Sequence, residues 1–113
     1  MTATRPFNIS DELEPRRIRR QVERRLGDGR VTVSMSRRWG YTIWHRFWCD
    51  ARGEYLEAPV AQLRPVGGNF KLYWMHRNGR WWPYTFKDGG PVARTLGSCL
   101  EEIDKDPHAL FWA

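Results

Sequence analysis

The chain has 113 residues and a mass of 13.5 kDa, a length that fits one domain, residues 1–113, and leaves little room for a second. A chain of this size can bury about 65% of its unfolded surface, and 41% hydrophobic with 28% charged residues excludes disorder over most of its length. The formal charge of +6 points to anionic partners, while no apolar run nears the ~18 residues of a membrane span and two cysteines exclude a disulfide framework.

Residues 1–9 read as a partly loose lead-in. A helix is expected over Asp11–Leu26, with Asp11 and Glu14 in capping-box spacing and Pro15 in or near the first turn. An alternative start at Pro15, with Leu13 stapled on Ile18, leads to the same body. Ile18, Val22 and Leu26 form one apolar stripe, and Arg16, Arg17, Arg20 and Arg24 lie on the opposite side. The run Gly27-Asp28-Gly29 ends the helix.

The middle of the chain reads as strands. Val31–Met35 alternates with period two, and Arg37–Gly40 is a turn. Tyr41–Cys49 alternates again, with Tyr41, Ile43, His45, Phe47 and Cys49 on one face and Thr42, Trp44, Arg46 and Trp48 on the other. After a turn at Asp50–Gly53, a poorer strand is expected over Ala58–Leu63, with Pro59 and Pro65 marking its ends or an edge. Gly67-Gly68 turns the chain into Phe70–His76, and Asn78-Gly79 signals a hairpin into Arg80–Phe86, with Pro83 on an edge strand. Lys87–Pro91 is a loop. A second helix follows over Leu96–Asp104, N-capped by Thr95 and stopped by Pro107. The chain closes on the apolar run Leu110-Phe111-Trp112, expected to be covered.

The expected architecture is therefore α+β: an N-terminal helix, a four- to five-stranded, mainly antiparallel sheet, and a C-terminal helix with an apolar tail. The segment Lys71-Leu72-Tyr73-Trp74-Met75, then Trp81 and Tyr84, then Leu100-Glu101-Glu102-Ile103-Asp104, Asp106-Pro107 and Phe111-Trp112 is distinctive. In these residues the chain resembles a small bacterial family, domain of unknown function 3024. The resemblance implies the order helix, strands, helix over nearly the whole chain and a bacterial source. It transfers no catalytic or binding residue.

Sixteen of the nineteen bases are Arg, whose planar fork matches phosphate and stacks on rings. Residues 1–38 hold ten Arg against five acids, so the basic character sits in the N-terminal third. Arg16, Arg17, Arg20 and Arg24 are the candidate contacts to nucleic acid or another polyanion; the plain alternative is a solvated helix face balanced by Glu12, Glu14 and Glu23. Trp44, Arg46 and Trp48 are a candidate interaction face, able to stack unpaired bases or to pair two subunits, and equally able to be the core beneath the helices.

No catalytic constellation is evident. His45 and Cys49 share a face but stand about 13 Å apart by strand rise, too far to form a nucleophile–base pair. They read as a half-buried histidine and a small core cysteine, and no ligand spacing for a metal or motif for a cofactor accompanies them. Asp104 and Asp106 read as solvated carboxylates at a helix stop. The expectation is a cytoplasmic, non-enzymatic module with no cofactor, no metal and no membrane, the alternative being a protein-interaction or homodimerisation module that uses the aromatic sheet face.

Overall fold

A computed structural model describes residues 9–27 and 30–112, with side chains from residue 16 onward. Helix α1 runs Ile9–Leu26. It starts ahead of Asp11, so Asp11 is already helical and does not mark the start; the side-chain contacts expected of Asp11, Leu13 and Glu14 lie outside the described residues. Pro15 accordingly falls inside the helix and not in its first turn, where it withholds one N–H from the ladder. The lead-in expected over 1–9 also lies outside the described residues, except for Ile9, which opens α1. At the far end Gly27 takes φ +110° and donates its N–H to the Glu23 carbonyl at 3.1 Å, the glycine stop the sequence implied.

Strands β1 (Val31–Ser36), β2 (Gly40–Cys49), β3 (Glu54–Val66), β4 (Asn69–Met75) and β5 (Trp81–Pro83) pair in chain order, each antiparallel to the one before. A two-residue strand β6 (Ala93–Arg94), which sequence patterning did not flag, shares the outer edge of β4 with β5. The Asn78-Gly79 hairpin forms: the His76 N–H reaches the Arg80 carbonyl at 2.9 Å across a three-residue connection, and Gly79 supplies its positive φ of 83°. Helix α2 (Leu96–Lys105) starts where expected, with the Thr95 hydroxyl accepting the Ser98 N–H at 3.2 Å.

The largest departure is β3, which extends well past Ala58–Leu63 at both ends. Its two prolines are tolerated because each lies where β3 has a single neighbour. Pro59 is paired to Trp44 of β2, beside a bulge, and lies beyond the end of the β4 ladder at Ala61. Pro65 is paired to Phe70 of β4 and lies beyond the end of the β2 ladder at Leu63. Neither missing N–H interrupts a ladder on both sides. The tip of the β2–β3 hairpin, Arg46–Glu57, has no strand from β4 beside it and outruns β1, whose pairing ends at His45.

Both helices cover the same face of the sheet. Ile18 and Val22 of α1 and Cys99, Leu100 and Ile103 of α2 join Val31, Tyr41, Ile43, Ala61, Leu63 and Leu72 in one buried cluster. The sheet's contribution comes from the alternate residues on the Tyr41–Ile43 side of β2. Among the described residues the Thr42–Trp44 side carries no helix, so Trp44 and Trp48 are not the core beneath the helices. No helix among the described residues is long and apolar enough to cross a membrane.

The tail returns to this core. Asp106 closes α2 in the left-handed region at φ 44°, and its carboxylate accepts the N–H groups of Leu110 (2.8 Å), Phe111 (3.1 Å) and Trp112 (3.1 Å). Asp106 is thus an anchor and not the solvated carboxylate read from sequence. Phe111 is 6% exposed and packs on Tyr84; Trp112 donates its indole N–H to the Ile103 carbonyl at 2.8 Å and meets His45 edge-on.

Candidate nucleic-acid interface

The amphipathic pattern of α1 turns Ile18 and Val22 inward and leaves Arg16, Arg17, Arg20 and Arg24 exposed. Of the acids that could balance them, Glu23 pairs with Arg19 at 3.1 Å, and the side chains of Glu12 and Glu14 lie outside the described residues. Arg17, Arg20, Arg24 and Arg25 line a shallow hollow of about 320 Å³ that ends at Gly97 in the first turn of α2. Positive side chains thus gather beside the positive end of a second helix.

The second candidate group, Trp44, Arg46 and Trp48, lies on the face without helices. Trp44 is half-buried and donates its indole N–H to the Ser34 hydroxyl at 2.9 Å. Trp48 is 51% exposed, and its indole N–H reaches an Asp50 carboxylate oxygen at 2.8 Å. Arg46 lies over the ring of Tyr55, 4.3 Å from its centre, and Tyr55 meets Trp48 edge-on. Toward the other end of the face the Arg64 guanidinium sits 3.8 Å from the centre of the Tyr73 ring and 4.6 Å from that of Trp39, with Arg38 a further 4.8 Å contact on Trp39. Gln62 holds Arg64 in place, accepting its Nε–H at 2.7 Å while donating to the Thr42 hydroxyl at 3.0 Å.

The two candidate groups are not brought together; the sheet separates them. The face is open, and arginines lie against its rings. Arg38, Trp39, Tyr55, Arg64 and Tyr73 escaped the sequence reading. Trp39 falls in the expected Arg37–Gly40 turn, and Arg64 lies past the expected end of the strand at Leu63. The signal was present in β3, where Gln62 and Arg64 alternate with Ala61 and Leu63.

The model of the family described as domain of unknown function (DUF3024) matches residues 6–113, nearly the whole chain. The chain belongs to the DUF3024 family. No curated protein and no solved structure matches it.

Other charged groups of this DUF3024 chain serve the fold. Arg94 forks onto Asp88 at 2.5 and 3.0 Å, donates Nε–H to the Pro91 carbonyl and lies over Phe86, tying down the loop before α2. The Arg94 hydrogen bond lowers the Asp88 carboxyl to about 2, with help from the Gly90 N–H. Glu102 accepts the Tyr84 hydroxyl at 2.8 Å, and burial, together with that carboxylate, raises the phenol above its usual range. Among the described residues no group of three or more His, Cys, Asp or Glu side chains could hold a metal ion.

Both cysteines are free. Cys49 is half-buried near the hairpin tip, paired with Glu54, and is not in the core. Cys99 is buried on the inner face of α2, and burial pushes its thiol up to about 12. A thiol reagent at neutral pH is expected to label Cys49 first and Cys99 only on unfolding, with two groups titrated in total. Labelling of both at the same rate in the native protein would contradict the burial. The folded thiol keeps a proton that the unfolded one loses, so its contribution is intact below the ordinary thiol range and lost as pH rises toward about 12. Denaturant midpoints measured between neutral and strongly alkaline pH should therefore fall with rising pH.

Proposed function

We propose that the chain is a non-enzymatic binding module for nucleic acid or another polyanion, with the arginine face of α1 as its electrostatic footprint. The observation that carries this reading is the exposure of Arg16, Arg17, Arg20 and Arg24 along one side of a helix whose other side is buried. Guanidinium groups spaced along a rigid rod suit a repeating line of phosphates, and neutralising them releases counterions. A cytoplasmic setting, where nucleic acid is at hand and thiols stay reduced, suits the same reading.

Four phosphate contacts give a log–log salt slope near roughly −3.6 on duplex and about −2.8 on single strands. Replacing Arg16, Arg17, Arg20 and Arg24 together by Gln is expected to remove most of the binding and leave the circular-dichroism spectrum unchanged. A mobility-shift series at low salt that finds neither DNA nor RNA retained would reject the proposal.

A second reading, a homodimer joined through Trp44, Arg46 and Trp48, is favoured by the exposure of Trp48 and Tyr55. It requires twice the chain mass in light scattering.

A further inference from the structure

The open face of the sheet combines three properties. The first is exposed ring surface: Trp39 is 43%, Trp48 51% and Tyr55 57% exposed. The second is cationic charge. Arg38, Arg46 and Arg64 lie against those rings, and among the described residues none of the three has a carboxylate within ion-pair distance. The neighbouring acid Glu57 is turned to the Thr32 hydroxyl, which donates to it at 2.9 Å. The third is layout. The arginine–aromatic groups lie at the two ends of β2, Trp39 just before Gly40 and Trp48 next to Cys49, with about 27 Å of strand between Gly40 and Trp48 at the usual rise. Beside the second group, at the edge of β2 past the end of β1, lies a hollow of about 380 Å³ lined by residues of both faces, His45 and Phe47 from one and Arg46, Trp48 and Tyr55 from the other, together with Arg30.

We propose that this face binds single-stranded nucleic acid, with unpaired bases stacking on Trp39, Trp48 and Tyr55 and phosphates held by Arg38, Arg46 and Arg64. Rings and guanidinium planes accept the flat face of any base, and that face is accessible only when the strand is not in a duplex. The span between the two groups suits a strand of several nucleotides, within the roughly 4–16 that single-strand-binding sheets cover. A second copy of the chain fits less well. The centre of a subunit interface is depleted in charge, and pairing this face with itself would set arginines against arginines. The surface lies on the opposite side of the sheet from the arginines of α1, so the proposal does not rest on the reading given for that helix.

The test is titration of the full chain with a fifteen-nucleotide oligothymidylate, a duplex of the same length and heparin, read by tryptophan fluorescence and by anisotropy of a labelled probe. Oligothymidylate is expected to quench the tryptophans and to bind more tightly than the duplex. Trp48→Ala and Tyr55→Ala should each weaken it by roughly 5- to 150-fold, the range for loss of one stacked base. Arg46→Gln should weaken it with a shallower salt slope. These side chains are exposed, so the variants should keep the melting temperature of the parent. The Gln variant of the four α1 arginines should keep the preference for single strands. Equal binding of oligothymidylate, duplex and heparin, unchanged by the ring variants, overturns the proposal and leaves the α1 reading standing. Ring variants that lower the mass in solution without changing affinity also overturn it, because the face is then a subunit interface.

Discussion

Deleting residues 110–113 is expected to lower the melting temperature by on the order of 10 °C without changing the mass in solution. Phe111 is almost wholly buried against Tyr84, and burying a side chain of that size stabilises by about 1.5–3 kcal/mol. Trp112 adds part of its ring area and the hydrogen bond to the Ile103 carbonyl. Together these come to about 3 kcal/mol or more, and each kcal/mol shifts the midpoint of a domain this size by roughly 4 °C. The tail packs on its own chain's Tyr84 and His45, which is why no change of mass is expected. Asp106→Ala probes the same junction from the other side. It leaves the N–H groups of Leu110, Phe111 and Trp112 without their acceptor, at about 1–3 kcal/mol for each one that stays buried. A truncated chain that melts with the parent would show that the tail contributes nothing to the core.

Gly40→Ala is the second large effect. Gly40 opens β2 at φ +85°, a conformation costing a residue with a side chain about 1–2 kcal/mol. A β-carbon there would stand 2.8 Å from Pro65 Cδ and closer still to the Leu63 carbonyl oxygen, so β3 would have to move. Forced overpacking adds about 1–3 kcal/mol, making the total a large share of the roughly 5–15 kcal/mol that holds a domain folded. Gly53→Ala is the control. Gly53 also has a positive φ, 64°, but nothing lies within 4 Å of the added carbon, so it carries the conformational cost alone. Urea titrations should give Gly40→Ala a much lower midpoint than Gly53→Ala. Equal midpoints would mean that the close approach of β2 to β3 relaxes freely.

Much of the fold is legible in the chain. Thr95, the Leu96–Ile103 stripe, the Asn78-Gly79 turn and the alternation in β1 and β2 each act over a few residues, and each appears where its local chemistry puts it. The exposed arginines of α1 follow from the same periodicity. The side of β2 that faces the helices does not follow, because bulky residues stand on both: Tyr41 and Ile43 on one, Trp44 and Trp48 on the other. The choice is made across the ladder by Ala61 and Leu63 opposite the first pair and by Gln62 opposite Thr42, and pairing register is a property of two strands together. Asp106 escaped for a similar reason. Its role depends on amides four to six residues later that turn back only when Phe111 has a core to enter.

The position of Pro59 has a consequence for how the molecule behaves in crowded solution. The Arg46 N–H reaches the Arg30 carbonyl, so the even-numbered amides of β2 point toward β1, and Pro59, opposite Trp44, turns its nitrogen away from β2 toward the flank that β4 does not reach. A strand from another molecule approaching that flank meets a ring where it needs a hydrogen-bond donor, beside a bulge that bends the backbone out of line. The projecting hairpin can therefore hold rings and arginines out into solvent on an extended ribbon while that flank resists the edge-to-edge growth that seeds fibrils.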